Sequence, residues 1–194
     1  MTLRLNGSTS GYVEIDAPAT AGSNTLVLPN GNGTNGQYLK TNGSGGLSWA
    51  GAGKILQVVE NFHTTSVAYT STTTWTSSGL SASITPSSAS SKVLVFVSAQ
   101  IGLYRSGGGG VGTGFRIERN STAILTTNSN YAHYLEASAS VGLYLITKVP
   151  LRVLDSPATT SSITYTLFGQ NYSAGTSTFQ DGDSSRITLM EVAA

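Results

Sequence analysis

Val93-Leu-Val-Phe-Val97 is the longest apolar run in the chain. It is strand-sized, and far short of the ~20 residues a membrane-spanning helix needs. A continuous apolar run, rather than an alternating one, is expected of a central strand covered on both faces. Further along, Ile163, Tyr165 and Leu167 alternate with Thr164 and Thr166. That is the pattern of a strand with one buried face. The final run, Arg186-Ile-Thr-Leu-Met-Glu-Val192, stays apolar almost to the terminus. Such a tail is expected to be paired inside a sheet rather than frayed.

Working outward from these runs, strands are expected near 54–62, 80–85, 92–104, 114–119, 122–127, 141–149, 161–170 and 185–192. Pro86, Pro150 and Pro157 fall at the ends of these predicted strands, where a missing N–H costs least. This number of strands, separated by turn signals, suggests an antiparallel β-sandwich, most simply a jelly roll. Thr and Val favour strands, and Gly and Asn favour tight turns. No stretch shows a sustained helical period.

The 194 residues are 39% hydrophobic and only 10% charged, with a formal net charge of +1. That balance differs from the low hydrophobicity and high charge of disordered chains. A near-neutral chain with scattered Lys and Arg argues against a nucleic-acid partner, whose phosphates demand a basic face. There is no cysteine, which excludes disulfides and thiolate metal sites. The first residues, Met1 to Ser8, have no apolar h-region after them and do not read as a signal peptide. Assembly in a cytoplasm without an encoded export route is the expectation, with no membrane insertion.

Residues 1–53 form a separate compositional unit, and 54–194 the β-sandwich head. In the first unit, short apolar pieces alternate with turn clusters such as Asn30-Gly-Asn-Gly33 and Asn42-Gly-Ser-Gly-Gly46. Asn-Gly tolerates the positive φ that tight hairpins need. So small a unit buries too little apolar surface to fold alone. It is expected to intertwine with copies of itself or to lie on a partner. Leu3, Leu5, Tyr12, Ile15, Leu26, Leu28, Tyr38 and Trp49 are its candidate packing residues. Ala50-Gly-Ala-Gly53 reads as a hinge.

Three segments of this unit carry a resemblance: Leu3 to Ile15, Ala17 to Pro29, and Gly33 to Trp49. They resemble the N-terminal unit of phage fibre and virion proteins, especially those of marine and cyanobacterial phages. The remainder is similar in architecture to the sandwich heads at fibre tips and to trimeric jelly rolls, like tumour necrosis factor, that decorate phage capsids. The resemblance implies a homotrimer on the virion surface. Its residues 1–53 would attach to the major capsid protein or another virion protein, and its head would face outward. A short tail fibre whose head binds a host-surface glycan or protein is the alternative.

No motif points to an enzyme or a cofactor. Gly107-Gly-Gly-Gly-Val-Gly112 fits G-x-G-x-x-G, but the alternating Phe115-Arg-Ile-Glu-Arg119 that follows is no helix, so a flexible loop is expected. Gly51-Ala-Gly-Lys54 fails as a phosphate loop, with Ser48 at the first glycine position and Ile55 after the lysine. His63 and His133 lack carboxylates at ligand spacing. Asp181-Gly-Asp183 is too sparse for a calcium loop and reads as a polar turn. The nine scattered acids show no paired-carboxylate signature, and no G-x-S-x-G elbow occurs. Tyr104, Arg105, Tyr131, His133 and Tyr134 lie beside glycine-rich or polar stretches. They are candidates for stacking on sugars or filling a partner contact, against core or interface tyrosines with satisfied hydroxyls.

Overall fold

A computed structural model describes residues 3–20, 22–51, 53–127, 132–138, 141–173, 175–180 and 184–194. Among these residues every regular element is a strand, and no helix is long and apolar enough to cross a membrane. The chain divides into two compact units, Met1–Ala52 and Gly53–Ala194.

The first unit holds two hairpins. One pairs β1 (Leu3–Asn6) with β2 (Tyr12–Ile15), and the other pairs β3 (Gln37–Thr41) with β4 (Leu47–Gly51). Between them Val27 makes a single parallel bridge to Gly46. Trp49 lies against Gly33, which adopts φ +66°, and its indole N–H donates to the Gly31 carbonyl at 2.6 Å. A side chain at position 33 would run into the indole ring, so the glycine there is required on both counts.

The second unit is a two-sheet sandwich. Its strands are β5 (Ile55–His63), β6 (Val67–Tyr69), β7 (Thr76–Ile84), β8 (Lys92–Arg105), β9 (Gly109–Arg119), β10 (Thr122–Thr126), β11 (His133–Ala137), β12 (Leu143–Asp155), β13 (Ile163–Asn171), β14 (Thr176–Phe179) and β15 (Ser185–Val192). In the six-stranded sheet, β12 runs along one side of β8. On the other side β15 and β14 follow each other, with β5 and β6 outside them. In the five-stranded sheet, β9 pairs with β10 and β11 on one side and β13 on the other, and β7 lies beyond β13. When strands that share one side of a neighbour are taken as one, eight positions remain. Their order is first-eighth-third-sixth in one sheet and second-seventh-fourth-fifth in the other. All pairings are antiparallel, and this is the order of a jelly roll.

The core lies between the sheets. Val93, Val95, Val97, Ile101 and Leu103 of β8 point inward with Phe115, Ile117, Tyr165, Leu167, Ile187 and Leu189, each nearly or fully buried. Full burial of one such aliphatic side chain stabilises the fold by about 1.5–3 kcal/mol.

Four expectations need correction. Val93–Val97 is central in its sheet but covered on one face only: the odd residues are buried, while Leu94 is half-buried and Phe96 is 39% exposed. No second layer lies on that side of β8 among the described residues. Gly109, Gly110 and Gly112 do not belong to a loop but to β9. The ring of Tyr134 lies over Gly110 where a side chain would stand, so this glycine admits a strand neighbour, while Gly109 takes up the turn with φ +108°. Pro150 does not end a strand but sits inside β12. There it costs little, because β12 pairs only with β8 and is an edge strand whose outward N–H positions have no ladder partner. Finally, β6, β11 and β14 were not expected as strands. They are only three to five residues long, and β6 and β14 carry too few apolar residues to show a period.

Candidate attachment and binding surfaces

The register of the first hairpin sorts its residues into two faces. Leu3 pairs with Ile15 and Leu5 with Val13, whereas Arg4 pairs with Glu14 and Asn6 with Tyr12. Side chains of alternate residues point to opposite faces of a strand. One face is therefore entirely apolar, and its four residues are 57–67% exposed. The other face is polar and locked by Arg4. The Arg4 guanidinium reaches Glu14 at 2.5 Å and stacks 4.0 Å from the centre of the Tyr12 ring. Cation–π stacking and the ion pair tie the two strands together on this face.

Among the expected packing residues of this unit, Leu3, Leu5 and Ile15 come together on the apolar face. Tyr12 does not: it belongs to the Arg4 face. Val13 completes the apolar set and was not singled out from the sequence, though its parity with Ile15 was the available signal. Leu26 and Leu28, at 68% exposure each, flank the bridging Val27, at 60%. Tyr38 and Trp49 stand at adjacent ladder positions, Tyr38 opposite Ala50 and Leu39 opposite Trp49, so their rings are on opposite faces of the second hairpin. Two open concavities of about 570 and 580 Å³ lie in this unit, along Ser23–Leu26 with Gly43–Gly45 and along Leu5–Val13. Neither is lined by a carboxylate, histidine or lysine.

Tyr104 and Tyr134, two of the tyrosines singled out from the sequence, fall at one end of the sandwich. Tyr104, near the end of β8, is 47% exposed and meets Tyr144 of β12 edge-on, with ring centres 6.3 Å apart. Tyr134 of β11 meets Tyr172 edge-on at 5.5 Å, and its hydroxyl donates to Glu136 at 2.9 Å. Arg105 does not project toward a ligand. Its guanidinium folds back on the β8–β9 turn and donates to the Gly108 carbonyl at 2.9 and 3.2 Å. Tyr131 lies outside the described residues, as do Asp181 and Asp183. Tyr144 and Tyr172 were missed from the sequence. Only the register of β8 with β12, and the close of β13 beside β9, brings them to this end.

His133 is half-buried on β11, its Nε2 atom without a hydrogen-bond partner among the described residues, and burial lowers its pKa. His63 stacks on Phe179 with ring centres 6.1 Å apart and covers Gly79. The His63 ring is a packing element of the sandwich. Among the described residues no three His, Asp or Glu side chains converge to hold a metal ion.

No protein-family model matches the chain, and no curated protein matches it. Among solved structures, it aligns with that of infectious bursal disease virus, Gt strain, at 13% identity and TM-score 0.34, over 98% of this chain and 46% of that one. The T13 particle of infectious bursal disease virus aligns at 12% identity and TM-score 0.36, over 95% and 42%. Dimeric latent PorU from Porphyromonas gingivalis aligns at 13% and 0.29, over 73% and 14%. The chain thus spans less than half the length of each. Scores of this size assign neither relationship nor function.

Proposed function

We propose that this protein is a non-enzymatic structural component of a tailed-phage virion surface: a trimeric capsid-decoration or head-fibre protein attached through residues 1–53. The observation that carries this reading is the bare apolar face of the first hairpin. Leu3, Leu5, Val13 and Ile15 are each more than half exposed and the hairpin register gathers all four on one face. Leaving such a patch in water is unfavourable by about 25 cal/mol per Å². A partner surface that covers it, on a capsid subunit or on neighbouring copies, removes that cost. Bound copies then stabilise the assembled shell by mass action. The resemblance of Leu3–Ile15, Ala17–Pro29 and Gly33–Trp49 to phage virion proteins supports the same assignment.

Immunogold labelling of purified particles, with antibody raised to residues 54–194, tests it. Gold over the phage head is the expected result. Gold at the tail alone would replace decoration with a short fibre. Absence of label from every particle would overturn the virion assignment.

The fibre reading is favoured by one feature, the exposed Tyr104–Tyr144 pair at the end of the head. Exposed aromatic faces suit sugar rings, whose C–H surfaces are apolar while their hydroxyls stay wet. In that reading the full chain adsorbs to host cells, and replacing both tyrosines with alanine abolishes adsorption without releasing the protein from the particle.

A further inference from the structure

The two outer faces of the sandwich differ in kind. The five-stranded sheet turns Ser81, Ser83, Thr164, Thr166 and Glu118 outward, with Ser83 and Thr164 hydroxyls hydrogen-bonded at 2.7 Å. This part of the face is polar, and further along it Phe168 stands beside Arg116, which covers the Trp75 ring. The six-stranded sheet turns an apolar row outward: Val58, Met190, Leu94 and Leu154 stand side by side across β5, β15, β8 and β12. Val58 is 56% exposed and Leu154 52%. Phe96 and Phe62 extend the patch along the strands. Val93–Val97 has the composition of a strand covered twice, yet among the described residues of the sandwich nothing covers this face of it.

The next row identifies what covers it. Across the same four strands it reads Glu60, Thr188, Phe96, Arg152. A carboxylate stands toward one edge of the sheet and a guanidinium at the other, with apolar or neutral residues between. Glu60 is held by Arg186 at 2.8 Å but remains 49% exposed. Arg152 is exposed and has no ion-pair partner among the described residues. When two such sheets stack face to face, with the β12 edge of one over the β5 edge of the other at the same height, Arg152 reaches Glu60 and the apolar rows meet each other. The size also fits. Four strands ~4.8 Å apart and a 13-residue edge strand rising ~3.3 Å per residue give a face of roughly 800 Å². A standard protein interface takes about that area from each partner.

We infer that the outer face of the six-stranded sheet is the contact between copies of this chain, with the Val58–Met190–Leu94–Leu154 row buried and Arg152 of one copy paired with Glu60 of the next. This holds whether or not the chain is carried on a particle.

The test is sedimentation velocity of the full chain at micromolar concentration, with circular dichroism melting to verify folding. The wild type is expected to run as an oligomer. Val58→Asp with Leu154→Asp should weaken association by about tenfold or more, as loss of central apolar contacts does, while the melting curve of the separated chain stays intact. Glu60→Arg and Arg152→Glu should each weaken association, and their combination should restore it. Wild type running as a monomer would overturn the inference. So would face variants that keep the wild-type mass. An oligomer that dissociates with Leu5→Asp and Ile15→Asp but not with the face variants would place association in the first hairpin and discard the sheet face. Particle labelling is a separate readout, so failure here leaves the attachment reading to stand or fall by itself.

Discussion

The Tyr165 hydroxyl on β13 donates to the Asp155 carboxylate on β12 at 2.7 Å, tying one sheet of the sandwich to the other across the edge of the core. Arg119 of β9 grips the same carboxylate from both oxygens at 2.8 and 2.9 Å. Tyr165 is fully buried. Burial, and then the hydrogen bond to Asp155, push its hydroxyl far above the ordinary tyrosine pKa, so it remains a donor throughout the working pH range.

This tie ranks three substitutions. Tyr165→Phe removes one hydrogen bond to a charged acceptor that Arg119 still satisfies, and should cost about 1–2 kcal/mol. Asp155→Ala strands both a guanidinium and a hydroxyl and should cost about 3 kcal/mol. Ser83→Ala, on the wet outer face, should cost under about 0.5 kcal/mol. Urea denaturation at constant m-value measures all three. Equal costs for Tyr165→Phe and Asp155→Ala would show that Arg119 contributes nothing.

Glu191 makes part of the stability depend on acid. The residue is fully buried. Its carboxylate accepts from the Ser87 N–H and hydroxyl at 2.7 Å each and from Gln57 at 2.6 Å. Burial pushes its pKa up, but these hydrogen bonds, with one from Ser91, outweigh burial and hold it at about 2, below the ordinary 4.5. A depressed carboxylate contributes its full stability above pH 4.5, and that contribution is lost as pH falls from 4.5 toward 2. Glu191→Gln should therefore be less stable at neutral pH, and the gap to wild type should close across that window. A gap independent of pH in thermal melts would contradict the assignment.

The two faces of the first hairpin should respond differently to substitution. Leu5→Asp with Ile15→Asp places charge on the apolar face and should reduce attachment to purified shells by about tenfold or more. Tyr12→Ala acts on the opposite face and should leave attachment within about twofold, costing only an exposed cation–π contact of ~0.5–1 kcal/mol. Co-sedimentation with shells reads both. Loss of attachment with Tyr12→Ala alone would show that the docking face has been misassigned.

Gly110 and Tyr134 should behave as a coupled pair. Gly110→Ala drives a methyl group into the Tyr134 ring and should cost about 1–3 kcal/mol, the usual range for overpacking. Tyr134→Ala in the same chain should recover part of that loss. Additive costs in the double mutant would show that the ring moves aside freely.

Apolar patterning located most of the long strands, but it missed the first residues of β7 and the half of β12 beyond Pro150. β8, β13 and β15 are legible because apolar residues recur in them at alternate positions or in a continuous run, and β5 because apolar residues crowd a stretch free of turn signals. The short strands β6 and β14 are not, since three or four residues of mixed polarity establish no period. The apolar hairpin face was half legible: Leu3, Leu5 and Ile15 were visible as apolar, but Tyr12 is equally apolar in composition, and only the register shows that it faces the other way. The tyrosine end was legible at Tyr104 and Tyr134. Their partners Tyr144 and Tyr172 are some forty residues away in each case, and no local pattern connects them.

By itself the sequence determined that this chain is a strand-built sandwich with a small, coreless N-terminal unit, because alternation, turn residues and the shortage of helix formers are local properties written along the chain. Tertiary structure alone decided which residues share a surface. Val93–Val97 looks the same in sequence whether one of its faces is covered or both, and Glu60 and Arg152 share no local signal. Their placement in one row is set by the long-range pairing of β5, β15, β8 and β12, since hydrogen-bond register between distant strands determines which side chains meet on a face.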